Sequence, residues 1–237
     1  MTRPLFRLAC GAAAAALALW LWPMPALRAA EQAVVLPAPA LDPPGPGDLQ
    51  SVVLAGGCFW GVQGVFQHTA GVVSAVSGYS GGSASTANYT AVTTGTSGHA
   101  EAVKVTYDPQ RISYGRLLQI FFSVVHDPTE LDRQGPDVGS QYRSAIFTTS
   151  DAQQAVAKAY IAQLTAAKAY GKPIVTTVAS LPGFFVAEDY HQNYLTLHPR
   201  QPYIVFNDLP KIANLKELFA QDYLDKPTLV RRDQMAH

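Results

Sequence analysis

Apolar residues recur along the chain with two different periods, and these periods predict strands and helices that follow one another irregularly. Short apolar or alternating runs predict strands at residues 51–55, 71–77, 101–107, 144–148, 174–179 and 203–206. Spacings of three and four predict helices from Cys58 to about 66, from the cap Ser113 to 125, from the cap Asp151 to 169, and at 188–197 and 211–219. Because the two element types do not alternate regularly, we expect an α+β two-layer sandwich with a mixed sheet.

The first thirty residues have the pattern of a cleavable secretory signal peptide. Arg3 and Arg7 precede an apolar run of about 14 residues, which is shorter than the ~20 that span a membrane. Small residues follow, so we expect cleavage near Ala30 and an exported, periplasmic protein with no stable membrane insertion; an uncleaved anchor is the alternative. Loss of residues 1–30 removes three arginines and no acid, which changes the formal charge from 0 to −3. It also removes Cys10, which leaves one cysteine.

Proline and glycine then divide the rest of the chain. Residues 31–50 contain five prolines and predict an extended linker, followed by one domain at 51–225 and a C-terminal tail at 226–237. A hydrophobic content of 48% excludes wholesale disorder, and equal numbers of basic and acidic residues argue against nucleic-acid binding. Two cysteines exclude a disulfide framework and a four-cysteine zinc site. No recognised metal-ligand spacing occurs, and we expect neither a metal nor another cofactor.

The candidate chemistry concentrates on Cys58. It follows Gly56 and Gly57 at a predicted strand end and opens a helix, where unpaired backbone N–H groups favour an anion. We therefore expect a thiol with a lowered pKa at this strand-to-helix turn, which would make it a nucleophile. The alternative interpretation is a buried, inert cysteine.

The residues around Cys58 resemble a known family. Gly56 to Gly61, with the sequence GGCFWG, is similar to the active-site signature of peptide methionine sulfoxide reductase, A class. The resemblance continues in the family's order over about residues 50–200, through GYSGG at 78–82, NY at 88–89, GHAEAV at 98–103, HDPT at 126–129, RQGPD at 133–137, QYRS at 141–144 and AEDYHQNYL at 187–195.

The resemblance implies a repair enzyme that reduces the S epimer of methionine sulfoxide, free or in oxidised proteins, after oxidative damage. It implies that Cys58 attacks the sulfoxide sulfur and that Glu101 protonates its oxygen. Glu101 shares a strand face with Val103 and Val105, so we expect burial to raise its pKa. The remaining implied roles are hydrogen bonding from Tyr89 and Tyr142, orientation by Asp137, and an apolar methyl pocket walled by Phe59 and Trp60.

The number of cysteines differs from that of many members of the family. Those members reduce the oxidised catalytic cysteine with a second cysteine near the C-terminus. Residues 59–237 contain no cysteine. The sulfenic acid on Cys58 must therefore be regenerated by an external thiol, either a small thiol or a thioredoxin-like protein.

Two other classes of function remain open at this point. A thiol hydrolase would pair Cys58 with His68, His99 or His191, although six histidines make a chance pairing easy. A secreted binding module would use Cys58 only structurally. The pair Asp189 and His191 is interpreted as surface or packing polarity and not as a metal site.

Overall fold

In a computed structural model of the chain, which describes residues 32–234, a six-stranded mixed sheet carries helices on one face. The α+β two-layer sandwich predicted from the sequence is confirmed. The predicted signal peptide and Cys10 lie outside the described residues. The domain limits drawn from composition stay predictions.

The sheet has the strand order β7-β6-β1-β3-β2-β8. Only β6 and β7 pair in parallel, and the other neighbours in this sheet are antiparallel. A separate two-stranded ribbon lies in the long polar loop before β6. The strands are β1 Gln50–Gly56, β2 Val72–Ser80, β3 Ala100–Tyr107, β4 Arg133–Gln134, β5 Asp137–Val138, β6 Ser144–Thr148, β7 Thr177–Ser180 and β8 Phe184–Val186.

The helices cover one face of the sheet because strand side chains alternate between its two sides. Val52 and Leu54 of β1 point into the main core with the helices, whereas Val53 and Ala55 join a small cluster on the other face. The helices are α1 Phe59–Gln67, α2 Tyr89–Val92, α3 Tyr114–Ile120, α4 Asp151–Ala166, α5 Tyr194–Leu197 and α6 Leu209–Leu218. Within residues 32–234, no helix has the length and hydrophobicity that a membrane crossing requires.

Strand register brings four chain segments to one end of the sheet. In the β1–β3 pair, Leu54 lies opposite Val103, so the end of β1 meets the start of β3. Gly56 pairs with Ser144 at the start of β6, and Tyr79 near the end of β2 pairs with Glu101. Loops that follow β1 and β2 and precede β3 and β6 therefore converge at this edge.

Residues 34–42, here called the N-terminal strap, pack against the helical layer although they form neither helix nor strand. The Val34 N–H donates to the Ser123 carbonyl, and Leu36 is buried in the main core. Tyr160 and Gln163 of α4 donate to the carbonyls of Pro37 and Ala38. At the other end, Asp42 accepts hydrogen bonds at the start of α3 from the Ser113 hydroxyl at 2.5 Å and the Gly115 N–H at 2.9 Å.

The structure corrects three local predictions. Residues 203–206 are not a strand: Ile204–Asp208 is a π-helical segment that leads into α6. The cap of α4 is Ser150 and not Asp151, since its side chain accepts from the Gln153 N–H. The predicted helix at 188–197 is two short turns, Asp189–His191 and α5, separated by Asn193 with a left-handed φ of 58°. Ser113 caps α3 as predicted.

Candidate active site

Cys58 lies at the turn between β1 and α1, with 8% of its surface exposed. It is the N-cap residue of α1 and follows the end of β1 at the edge of the sheet at which the four segments converge. Gly57 makes the turn with a φ of 89°, a conformation that side chains disfavour. A Cβ atom there would also lie 2.7 Å from the side chain of Gln134. A Cβ atom on Gly56 would lie 3.0 Å from the Phe121 side chain, so both glycines before Cys58 have a local steric reason.

Glu101, at the start of β3, is the nearest carboxyl group to this turn. Its Oε2 atom accepts the Phe59 N–H at 3.0 Å, and its carboxyl group lies close enough to Cys58 for the two side chains to shift each other's pKa. Only 2% of the residue is exposed. Burial raises the pKa of Glu101 to about 8, and the hydrogen bond from Phe59 opposes this rise. Glu101 is therefore mostly a neutral acid at pH 7, as its strand face predicts.

The pKa of the Cys58 thiol is raised well above its ordinary value, so the lowered pKa predicted from the helix N-terminus is wrong. Burial is the largest cause, and the negative charges that Glu101 and Asp208 carry at alkaline pH add to it. A hydrogen bond from the Trp60 N–H favours the thiolate but does not reverse the result. Desolvation and like charge outweigh the helix terminus here because Cys58 is enclosed.

Tyr89 and Tyr142 approach the same centre from two different loops. Tyr89 begins α2 and is 37% exposed, and its backbone N–H donates to Glu188 at 2.9 Å. Tyr142 ends the turn before β6 and packs against the core. Burial, and then the charge of Glu101, raise the pKa of both phenols. Both side chains are therefore neutral hydrogen-bond donors at physiological pH.

Asp137 lies on β5, and its carboxylate accepts a short hydrogen bond from the Tyr203 hydroxyl. Burial raises the pKa of Asp137, whereas the bond from Tyr203 and the positive charge of Lys211 lower it. The polar ribbon is thereby connected to the C-terminal helical segment beside the site.

Phe59 and Trp60 belong to an aromatic cluster next to Cys58. Phe59 is buried, with its ring centroid 5.0 Å from that of His191. Trp60 is partly exposed, stacks on Tyr194 at 3.8 Å, and donates from Nε1 to His191 Nδ1 at 3.2 Å. Trp60 therefore forms the accessible part of the cluster, and Phe59 lies beneath it.

Sequence reasoning missed several residues at this edge. Glu188 accepts the Tyr79 hydroxyl at 2.8 Å as well as the Tyr89 N–H, which joins β2 to α2. Tyr203 was assigned to the strand wrongly predicted at 203–206, and Asp208 fell between that strand and the helix predicted at 211–219. The only available signal for Glu188 was its place in the block at 187–195.

The three histidines considered as partners of Cys58 have other hydrogen-bond partners. His68 lies at the opposite end of α1 and is 2.7 Å from the Leu224 carbonyl. The His99 ring contacts the Gly82 N–H and the Ser83 carbonyl, and His191 contacts Trp60. Residues 32–234 hold no cluster of three or more histidine, cysteine or carboxylate side chains suited to a metal ion.

The chain is similar in sequence and in fold to proteins of one known family. A sequence model of the family described as peptide methionine sulfoxide reductase matches residues 50–223. The peptide methionine sulfoxide reductase MsrA 2 of Mesorhizobium japonicum is 58% identical over 76% of this chain and 93% of its own length. The protein of the same name from Synechocystis is 49% identical over 75% of this chain and 81% of its own length.

Solved structures of similar fold carry related names. Mxr1 from Saccharomyces cerevisiae in its reduced form superposes with a TM-score of 0.59 and 32% identity, over 68% of this chain and 92% of its own. Methionine sulfoxide reductase A of Corynebacterium diphtheriae superposes with a TM-score of 0.56 and 32% identity, over 72% of this chain and 86% of its own.

Proposed function

Because this chain belongs to the peptide methionine sulfoxide reductase family and is an oxidoreductase of the MsrA type, we propose that it reduces the S epimer of methionine sulfoxide through a sulfenic acid on Cys58. Its substrates are free methionine sulfoxide and oxidised proteins, which it repairs. The observation that carries the proposal is the buried Glu101 carboxyl group, which accepts the Phe59 N–H beside Cys58 and is mostly protonated at neutral pH.

In the first step the Glu101 carboxyl donates its proton to the sulfoxide oxygen while Cys58 attacks the sulfoxide sulfur. The oxygen passes to Cys58, the methionine sulfur is reduced by two electrons, and the Cys58 sulfur is oxidised by two. The thiol proton replaces the one that Glu101 gave up, so the step is balanced. A carboxyl group with a pKa of about 8 is an effective general acid near neutral pH.

The surrounding side chains position the sulfoxide. The neutral phenols of Tyr89 and Tyr142 donate hydrogen bonds to its oxygen, and Asp137, held by Tyr203, orients this polar side of the site. Trp60, supported by the buried Phe59, contacts the methyl group on the other side. Sulfur–aromatic contacts of this kind contribute about 0.3–1.5 kcal/mol each.

An external thiol then regenerates the enzyme, because residues 59–237 offer no second sulfhydryl group. The incoming thiol attacks the sulfenic sulfur, a disulfide bond to Cys58 forms, and the hydroxyl group leaves as water. A second thiol reduces this mixed disulfide. A small thiol and a thioredoxin-like protein both fit this chemistry.

A single turnover without reductant tests the proposed intermediate. One equivalent of methionine sulfoxide should release one methionine and raise the mass of the processed protein by about 16 Da, the mass of one oxygen atom. The product should react with a dimedone-type probe at Cys58. Intact-mass spectrometry before and after the probe measures both results.

Two outcomes of that experiment would contradict the proposal. A loss of two hydrogens per chain would indicate a disulfide in place of a sulfenic acid. Full release of methionine from a protein that resists the probe would place the oxygen elsewhere.

We also propose that residues 1–30 direct export and that the processed protein begins near residue 31 in the periplasm or an equivalent oxidising space. The arginine-flanked short apolar run followed by small residues supports this. Expression of the full chain, fractionation and N-terminal sequencing of the exported form would test it. Recovery of unprocessed protein from the cytosol alone would refute it.

A further inference from the structure

Asp208 is a fully buried acid that the reaction described above does not use. It ends the π-helical segment before α6 and has 0% of its surface exposed. Among the described residues, neither of its carboxylate oxygens accepts a hydrogen bond. The Nζ atom of Lys211 lies 3.9 Å from Oδ1, which is an ion-pair contact longer than a hydrogen bond. Burial of a carboxylate that accepts no hydrogen bond lowers the stability of the folded protein, so its position calls for a functional explanation.

The position of Asp208 relative to α1 places its charge beside Cys58. A Cβ atom built on Gly61 would lie 2.3 Å from Asp208 Oδ1 and 3.3 Å from Lys211 Nζ, so the carboxylate sits against this glycine with its ion-pair partner beside it. Cys58 is the N-cap of α1, and Gly61 is the third helical residue. The Cys58 side chain makes no capping hydrogen bond, but the residue lies three positions before Gly61 and so belongs to the same first turn of the helix. Asp208 and Cys58 therefore lie at the same turn of the helix, and the charge of Asp208 acts on the thiol.

We propose that Asp208 is a positioning residue whose buried carboxylate, seated against Gly61, keeps Cys58 a neutral thiol between turnovers. The proposal deepens the proposed function, since it concerns the resting state of the same nucleophile. A thiol is far less susceptible to oxidation than a thiolate. In an oxidising compartment, the processed protein, with Cys58 as its one cysteine, gains protection from this arrangement.

The charged and titratable groups around Cys58 differ in their ability to hold the thiol neutral. They are Glu101 from β3, Asp137 from β5, Lys211 from α6, and the hydroxyl groups of Tyr89, Tyr142 and Tyr203. Glu101 is mostly neutral at pH 7. Burial raises the pKa of Asp208 to about 7, so the carboxylate becomes charged as pH rises above neutrality. A negative charge appearing there opposes ionisation of the thiol over the range in which thiolate would otherwise form.

The test is the pH profile of Cys58 alkylation by iodoacetamide in the processed protein, for wild type and Asp208→Asn. The isosteric amide removes the charge and keeps the shape. We expect its midpoint to fall by about one pH unit, as for the loss of a nearby like charge. Below the midpoint the rate should rise about threefold, since about tenfold more thiolate is offset by its lower nucleophilicity.

Asp225→Asn is the matched control because it removes the same charge from the opposite end of α1. Asp225 pairs with Lys216 at 2.9 Å, its side chain is 83% exposed, and it lies two residues after Tyr223, which stacks on His68. The nine residues of α1 span about 13.5 Å, which exceeds the screening length of about 8 Å in physiological salt. We expect a wild-type profile for this variant.

An Asp208→Asn profile that overlays the wild type, or an equal shift in Asp225→Asn, would overturn the proposal. Asp208→Ser is a smaller neutral variant to be used if the amide does not fold. If neither variant folds, the wild-type alkylation profile is the test. A midpoint below the ordinary thiol pKa of about 8.5 would show that Asp208 does not keep Cys58 neutral, and a midpoint above it agrees with the proposal. Alkylation requires no turnover, so an inactive reductase would refute the proposed function without altering this result.

Discussion

Replacing Glu101 with glutamine is expected to slow methionine sulfoxide reduction by about 10²–10⁴-fold, because an amide cannot deliver the proton that the leaving oxygen needs. The fold should persist, since the glutamine amide oxygen can still accept the Phe59 N–H that now binds Oε2 at 3.0 Å. The measurement is kcat/KM for a peptide containing methionine sulfoxide, with dithiothreitol as reductant.

The pH profile provides a second readout of the same residue. Because Glu101 loses its proton as pH rises through about 8, the wild-type rate should fall over that range. The Glu101→Gln variant should lack this decline. Glu217→Gln, which changes an exposed acid on α6, is the control and should match the wild type in both respects. A loss of less than about threefold in Glu101→Gln would assign the acid to another residue.

Cys58→Ser is expected to reduce sulfoxide reduction to the uncatalysed level. A serine hydroxyl cannot take up the sulfoxide oxygen as a sulfenic acid, so no two-electron acceptor remains in the site. Serine is a preferred N-cap residue, and the start of α1 should be retained or slightly stabilised. Chromatographic separation of the peptide and its sulfoxide after incubation with dithiothreitol measures the activity.

The same variant separates the reductase from the other functions considered for this sequence. A thiol hydrolase would act on esters or amides and would leave the sulfoxide unchanged even in the wild type. A binding module would show no Cys58-dependent turnover. Sulfoxide reduction by folded Cys58→Ser at the wild-type rate would exclude Cys58 as the nucleophile.

The central strands were predictable because β1, β3 and β6 are short apolar runs bounded by glycine or polar residues. The strand prediction for residues 203–206 was wrong because it relied on the same kind of pattern. A tyrosine, an isoleucine, a valine and a phenylalanine in succession have high strand propensity, and tertiary packing overrides it by continuing the segment into α6. Local pattern carries no information about that packing.

The electrostatics of the candidate site were predictable only in part. The strand face of Glu101 correctly indicated burial and a raised pKa. The direction of the Cys58 shift was wrong because the helix terminus is a local feature, whereas the opposing carboxyl groups come from β3, β5 and the segment before α6. A pKa set by residues 43 to 150 positions away cannot be obtained from the residues around a cysteine.

The N-terminal strap also limits the distance between the catalytic domain and residues 1–30. Val34, the first residue bonded to the helical layer, lies four positions after Ala30, the predicted cleavage point. Four extended residues reach at most about 14 Å. If residues 1–30 are retained as a membrane anchor, this short connection holds the catalytic domain against the bilayer and restricts it to nearby substrates. If they are removed, the same domain diffuses freely through its compartment.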